Sequence, residues 1–180
     1  LGGNDLTVQF NSADRLQGSA RIQNASSNPA TLTIITNTNS GGNDGVLENG
    51  AGSGALSVVK AGTAQLILDQ VNSYTGTTEI IGGTLQLSSA NGRLTGTSGI
   101  TIAGGGILHL NNTNSANQGD RIANGAQIRM LGGQFQFDNN QNAANYSETV
   151  GVLNIQGGAN QIVTDSAAGN QTLALTFASL

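Results

Sequence analysis

The stretch that decides the fold runs from residue 58 to residue 87 and reads VVKAGTAQLILDQVNSYTGTTEIIGGTLQL. Small, polar and aliphatic residues alternate along it, which is typical of strands with one buried and one exposed side. Two strand-like runs, AQLIL and TEIIG, are joined by a polar corner from Asp69 to Thr77, and the pair Gly82-Gly83 precedes a third run, TLQLS. We interpret the stretch as one turn of a solenoid.

The composition of the 180-residue chain favours strands and turns over helices. Its hydrophobic content of 37% supports a core, but it has 27 Gly, 1 Pro, 3% aromatic and 9% charged residues. Gly, Thr, Ser, Asn and Gln stand where amphipathic helices would need other residues. The absence of Cys excludes disulfides and thiolate metal sites. A formal net charge of -4 offers no basic face to nucleic acid, and no apolar run of about 18 residues suits membrane insertion.

Double glycines recur between the strand-like runs, at Gly82-Gly83, Gly104-Gly105, Gly132-Gly133 and Gly157-Gly158. Their successive offsets are 22, 28 and 25 residues. A period of about 20 to 30 residues with short strands and a glycine corner is typical of a β-solenoid. We therefore predict an all-β parallel β-helix of about seven coils, with residues 1–180 as one continuous segment. A Greek-key sandwich is the alternative, since it also uses many short strands, although it needs no repeated corner.

Alternation within the predicted strands separates core positions from surface positions. The residues predicted to point inward are Leu66, Leu68, Leu85, Leu87, Ile100, Ile102, Leu108, Leu110, Ile128, Met130, Phe135, Phe137, Leu153, Ile155, Leu173 and Leu175. The residues predicted to face solvent are Gln65, Thr84, Gln86, Thr101, His109, Gln127, Gln134, Gln136 and Asn154. Stacking of equivalent strands about 4.8 Å apart would then build the core from coil to coil.

The opening stretch resembles the autotransporter-associated β-strand repeat, also called the passenger-associated transport repeat. The resemblance is closest over residues 55–88, where Ala64 and Ser73 depart from the family's Gly and Thr without upsetting the alternation. It implies a single-stranded, right-handed parallel β-helix in a large exported bacterial surface protein, with no catalytic residue. The motif residues are Lys60, Gly62, Asn72, Tyr74, Gly76, Thr78, Gly83 and Thr84.

Physical roles can be predicted for these motif residues. We expect the amide of Asn72 to turn into the corner and bond backbone groups that have no ladder partner. The ring of Tyr74 should pack over the adjacent coil with its hydroxyl in water, and Lys60 should lay its stem along the coil with its ammonium outside. The motif glycines should tighten the corners, where a Cβ would clash. We therefore interpret the motif as shaping and stacking a coil rather than forming a ligand site.

Few residues are candidates for catalysis or metal binding. Asp69 and Glu79 fall in one coil and could form a glycosidase pair, but each is more typical of a solvated corner. His109 is the only His and occupies an outward position, so we expect a surface side chain. The fragments GGNDL at 2–6 and GGNDG at 41–45 partly match calcium-binding β-roll repeats, yet neither repeats in tandem. We predict no enzyme and no cofactor, with calcium as the open alternative.

The predicted function is structural: a rod, stalk or fibre segment, extracellular or on the bacterial outer cell surface. Both ends read as strands, LTVQF and TLALTFASL, without a capping helix. We therefore expect a piece of a longer chain, or end-to-end stacking with neighbouring segments or identical subunits. The alternative is a surface adhesin or glycan-binding module that works through its exposed Thr, Gln and Asn side chains. A polysaccharide-active enzyme is a weaker alternative.

Overall fold

The structure is a computed structural model that describes residues 1–10, 20–39, 45–112, 118–139, 145–166 and 171–180. These residues form β1 (Leu6–Phe10), β2 (Arg21–Asn24), β3 (Ala30–Thr36), β4 (Val46–Asn49), β5 (Leu56–Ala61), β6 (Gln65–Leu68), β7 (Val71–Asn72), β8 (Thr78–Ile80), β9 (Thr84–Leu87), β10 (Arg93–Leu94), β11 (Gly99–Ala103), β12 (Ile107–Asn111), β13 (Gln127–Leu131), β14 (Gln134–Asn139), β15 (Tyr146–Gly157), β16 (Gln161–Ser166) and β17 (Leu173–Ser179). Within these ranges no helix is long and apolar enough to cross a membrane.

The chain coils through three faces in turn, and all of its paired strands are parallel. The first face stacks β1, β3, β5, β8, β11, β13 and the second half of β15. The second face stacks β6, β9, β12, β14 and β16. The third face pairs β2 with β4, β7 with β10, and the first half of β15 with β17. The predicted all-β parallel β-helix is confirmed.

The register of the first face gives the length of each coil. One column of stacked residues consists of Leu6, Leu32, Val58, Thr78, Ile100, Ile128 and Leu153. Their successive offsets are 26, 26, 20, 22, 28 and 25 residues, and the last three equal the offsets of the double glycines. Seven stacked strands enclose six turns, so the fold has about six turns rather than the predicted seven or so.

The core is a continuous stack of aliphatic side chains, with few aromatic ones. The predicted inward residues from Leu66 to Phe137 are all buried, and so is Leu153. The prediction is wrong for Ile155, whose side chain is 57% exposed. Leu173 and Leu175 are only partly buried. These exceptions share one cause, because they lie on the last coil and no further described coil covers them.

The residues predicted to face solvent do lie on the outer side of their strands, but one of them, Gln86, is buried. Gln86 is only 8% exposed although alternation predicts that it faces solvent. Its Oε1 accepts a hydrogen bond of 2.6 Å from Nε2 of Gln65, one coil earlier. Gln86 also pairs with His109 of the next coil in the register of β9 and β12. Stacked polar side chains therefore cover one another along the outside of the second face.

Candidate functional site

The candidate site is the coil of residues 58–87, and Lys60 is its most deeply buried charged group. Lys60 ends the inward column of β5 and has no exposed surface. Its Nζ donates hydrogen bonds to the carbonyl oxygens of Ala61 at 2.7 Å, Gly82 at 3.0 Å and Gly62 at 3.5 Å. The prediction of an ammonium outside the coil is wrong, because corner carbonyls from two successive coils replace water as acceptors. Burial lowers the pKa of Lys60 to about 8.

The corner around this ammonium requires glycine. Gly62 and Gly83 have φ angles of 83° and 61°, which L side chains rarely adopt. A Cβ on Gly83 would lie 2.3 Å from the carbonyl oxygen of Ala64 and 2.9 Å from Nζ of Lys60. These glycines therefore leave the space in which the neighbouring coil and the ammonium approach each other.

Asn72 behaves as predicted and connects three coils. Its side chain is fully buried, and Oδ1 accepts a hydrogen bond of 2.9 Å from the backbone N–H of Leu47 in the preceding coil. Its Nδ2 donates to the carbonyl oxygen of Gln70 at 2.8 Å and to that of Arg93, in the following coil, at 3.5 Å. The amide thus satisfies buried backbone groups at the corner, which would otherwise cost free energy.

Tyr74 is a second correction, because its hydroxyl is buried rather than wet. The hydroxyl lies 2.7 Å from Oγ1 of Thr78, which in turn lies 3.0 Å from Oγ1 of Thr97. Thr97 donates onward to the carbonyl oxygen of Gly76 at 3.0 Å. Burial raises the pKa of Tyr74. The three hydroxyls therefore form a hydrogen-bonded chain across two coils. The sequence did not predict that Thr97 takes part in it.

Two motif residues remain. Gly76 lies where two coils approach each other closely, and Thr84 lies on the outer surface of the coil. A Cβ on Gly76 would lie 2.3 Å from the carbonyl oxygen of Leu56, to which the Gly76 N–H donates at 3.0 Å. Thr84 is half-buried on the outer side of β9, where it pairs with Gln65 and Ile107. Thr84 also borders an open cleft at the double-glycine corner, together with Thr63 and Gly82.

The arrangement at Asn72 recurs along the solenoid. In each case a side-chain oxygen accepts a hydrogen bond from a backbone N–H of a neighbouring coil. These acceptors and their N–H donors are Asp5 with Thr31, Asn39 with Gln65, Asn72 with Leu47, Asn145 with Thr172, and Asn160 with Gly132. Polar side chains therefore join coils at several corners, in addition to the strand ladders.

At one further corner, the side-chain acceptor is the carboxylate of Glu148 instead of an amide oxygen. It is fully buried and accepts hydrogen bonds from the backbone N–H groups of Arg121 at 2.7 Å, Ile122 at 3.0 Å and Asp120 at 3.1 Å. Burial raises the pKa of Glu148 to about 7, and these three N–H groups oppose the rise. The residue caps a corner and shows no arrangement suited to proton transfer to a ligand.

Arg121 is fully buried beside that corner. Its Nε and Nη2 donate to Oδ1 of Asn112 at 2.8 Å and 2.6 Å. Its Nη1 donates to the carbonyl oxygen of Gly92 at 2.7 Å, and Nη2 to that of Asn111 at 2.9 Å. Burial is the main cause that lowers the pKa of Arg121, to about 10. The sequence reasoning missed both Arg121 and Glu148, although Glu148 follows Ile122 by one coil length.

The candidate catalytic residues are not assembled into a site. Asp69 follows β6 of the second face, whereas Glu79 is exposed on β8 of the first face. His109 does point to the outer side of β12, but it is not a free surface side chain. Only 14% of it is exposed, and its Nε2 lies 2.8 Å from Oδ2 of Asp138. The pair Asp69 and Glu79 therefore lies on different faces, and His109 joins β12 to β14.

The calcium alternative gains no support from the fragment at the start of the chain. Oδ1 of Asp5 accepts the N–H of Thr31 at 2.7 Å, which is a corner contact. Residues 41–44 of the second fragment lie outside the described residues. Elsewhere in the part of the chain that the structure describes, no three His, Asp or Glu side chains are grouped so that they could hold a metal ion.

These features define the class of protein as a parallel β-solenoid whose corners are closed by buried polar side chains. The family model of the passenger-associated-transport-repeat matches residues 58–87. This match confirms the resemblance for that coil, and this repeat family implies an exported surface protein. No curated protein and no solved structure matches the chain.

Proposed function

We propose that this chain is a rod-forming passenger segment of an exported bacterial surface protein. The single observation that carries the proposal is the unbroken parallel ladder of the first face, from Leu6 to Gly157, which includes the passenger-repeat coil. Such a ladder extends in one direction only, so each added coil lengthens the molecule. The role of the segment is to provide length and stiffness outside the cell.

Stiffness comes from links that cross between coils at the corners. Lys60 joins its own corner to Gly82 of the next coil, and Asn72 joins the coils of Leu47 and Arg93. Bending the rod would stretch these buried hydrogen bonds together with the strand ladders. Because breaking a buried hydrogen bond leaves an unsatisfied polar group, bending is costly. The rod needs no disulfide for this stiffness.

The adhesin or glycan-binding alternative is less well supported. Sugar-binding sites commonly present aromatic faces, but Tyr74, Tyr146, Phe135 and Phe137 are buried. The two other aromatic residues, Phe10 and Phe177, are partly buried against the core. The side walls therefore carry Thr, Gln and Asn without an exposed ring on which a sugar could stack.

Surface display tests the proposal directly. The chain would be fused between an export signal and an outer-membrane display anchor in a Gram-negative bacterium. We expect a protease-resistant, antibody-accessible segment on intact cells, and a protease-sensitive one for the corner variant Gly83→Ala. Retention inside the cell would contradict the proposal. A glycan array that showed submillimolar binding by the purified chain would favour the adhesin function instead.

A further inference from the structure

The outer side of the first face carries two charged side chains within the described ranges, Glu79 of β8 and Arg129 of β13. Both are exposed, and both stand in one column of stacked residues, in which each pairs with Thr101 of β11. Nε of Arg129 donates to Oε1 of Gln156 at 2.6 Å, and no described residue pairs with the carboxylate of Glu79. Opposite charges therefore stand one strand away from Thr101 on either side of it.

A column of aliphatic side chains runs beside these charges on the same outer side. Its members come from five successive strand levels, β3 to β13, and are Ile35, Ala61, Ile81, Ala103 and Leu131. Ile81 is 46% exposed and the other members are partly exposed. Single exposed apolar residues are ordinary on a protein surface, whereas a continuous strip is typical of an interaction surface.

This surface lies in the middle of the solenoid. The strands β5, β8, β11 and β13 are each paired on both sides, so no free strand edge takes part. The corners on both sides of these four strands lie within residues 45–112 and 118–139, which the structure describes. The charged column and the aliphatic column therefore belong to a side wall of the rod.

A two-fold axis along β11 makes this wall complementary to itself. If a second copy faces the first across such an axis, the strands keep their direction and the order of the coils is reversed. Glu79 of each copy then faces Arg129 of the other. Ile81 faces Leu131 of the second copy in the same way, and Ala103 faces its own equivalent. Facing sheets lie about 10 Å apart, a gap that extended Glu and Arg side chains bridge together.

The charges exclude the other face-to-face arrangement of this wall. A two-fold axis along the solenoid, through the charged column, would place Glu79 over Glu79 and Arg129 over Arg129 of the second copy. Like charges placed opposite each other disfavour an interface. The charges thus select the arrangement in which the two solenoid axes run in opposite directions.

We propose that two copies of this chain pair side by side through the outer side of the first face, related by a two-fold axis along β11. Two ion pairs and the aliphatic strip hold the second copy. Five strand levels overlap, from β5 to the second half of β15, which gives a contact of about 400 Å² on each copy for strands about 4.8 Å apart. An interface of this size is small, so the pairing is weak and reversible. It goes beyond the proposed rod and does not depend on export.

Sedimentation equilibrium of the purified chain at increasing concentration tests the pairing. The wild type should show a monomer–dimer equilibrium and nothing larger, because a two-fold interface closes. Glu79→Arg places an arginine opposite Arg129 at both contacts, and Arg129→Glu places a glutamate opposite Glu79. Each variant alone should associate at least about tenfold more weakly than the wild type.

Restored association is the decisive result. A 1:1 mixture of Glu79→Arg and Arg129→Glu should form a heterodimer, because one variant carries arginine at both positions and the other glutamate. Both substitutions in one chain should restore the homodimer for the same reason. Asp165→Arg is the matched control: Asp165 is exposed on β16 of the second face, so this variant should dimerise as the wild type does. Circular dichroism verifies that each variant is folded.

Several outcomes would overturn the pairing. A wild type that stays monomeric at its highest soluble concentration would do so, as would a Glu79→Arg variant that dimerises like the wild type. A mixture of the two single variants that stays monomeric would show that these charges do not face each other. A monomeric chain that is still displayed as a protease-resistant segment would leave the proposed function intact, whereas dimers without display would contradict that function alone.

Discussion

Nζ of Lys60 lies 3.0 Å from the carbonyl oxygen of Gly82, so the only lysine of the chain joins two successive coils from inside the core. A buried ammonium is expensive unless acceptors surround it. Here the acceptors are carbonyl oxygens at a corner that two glycines shape. The contact explains why a charged residue occupies an inward position of β5.

The first prediction concerns the pH dependence that this ammonium causes. The pKa of Lys60 is about 8 in the folded chain against 10.5 in the unfolded chain, so the unfolded state binds more protons between these values. Stability therefore rises with pH in this window, by at most about 1.4 kcal/mol per pH unit. Urea unfolding at pH 7.5 to 9.5 should show the wild type gaining stability relative to Lys60→Met. A constant difference between the two proteins would contradict the assignment.

The second prediction concerns the amide at the next corner. Asn72→Ala leaves the buried N–H of Leu47 without its acceptor, and we expect a loss of about 2 kcal/mol in the free energy of unfolding. Asn154→Ala is the matched control, because Asn154 is exposed on β15 and its loss should change stability by less than about 0.5 kcal/mol. Chemical denaturation checks both values. Equal effects of the two substitutions would refute the role of Asn72.

The third prediction separates backbone strain from steric conflict at the glycine corner. Gly83→Ala combines a φ of 61° with a Cβ placed 2.3 Å from a carbonyl oxygen, and should cost more than about 2 kcal/mol. Gly105→Ala has a φ of 78° but nothing within 4 Å of the added Cβ, so about 1 kcal/mol is expected. Thermal unfolding should rank the two in this order, and the reverse order would show that the corner relaxes freely.

The fourth prediction concerns the buried carboxylate. The pKa of Glu148 is about 7 in the folded chain against 4.5 in the unfolded chain, so the folded state binds more protons in this window. The contribution of Glu148 to stability therefore falls as pH rises from about 4.5 to about 7. Glu148→Gln should remove this decline. Glu79→Gln, at an exposed position of β8, controls for the loss of one negative charge, and an unchanged pH profile in Glu148→Gln would be evidence against the assignment.

The fifth prediction concerns the coil as a unit of length. Ile100 stacks on Thr78, 22 residues earlier, so duplicating residues 78–99 inserts one complete coil. The longer chain should fold cooperatively, with stability at least equal to that of the wild type, because each coil contributes with its neighbours. Duplicating residues 78–88 alone would place first-face strands on third-face positions and should prevent folding. Circular dichroism and denaturation distinguish the two chains.

The faces and the core could be predicted because their signals are local. Alternation identifies the inward residues of the long strands, and the double glycines give the coil length directly. On the third face, β7 and β10 were missed, because they have two residues each and carry no alternation. Ile155 was assigned to the core because alternation does not reveal that its coil is the last one described.

The polar interior could not be read from residue types alone. A lysine and a tyrosine on a strand usually keep their polar ends in water, whereas Lys60 and Tyr74 find partners inside. Those partners belong partly to other coils, as do those of Glu148 and His109. Shifting the sequence by the coil length brings His109 opposite Gln136, two residues before its partner Asp138, and Glu148 beside Ile122. Such pairs become predictable only once the period of every coil is known.

The burial of Lys60 also has a practical consequence for chemistry on this protein. The chain contains one lysine, and the amine of that lysine is enclosed. Amine-reactive dyes and cross-linkers should therefore leave the walls of the folded chain unmodified. A single lysine placed on an outer position of any coil would become the one side-chain amine open to labelling, so distances along the rod could be measured one coil at a time.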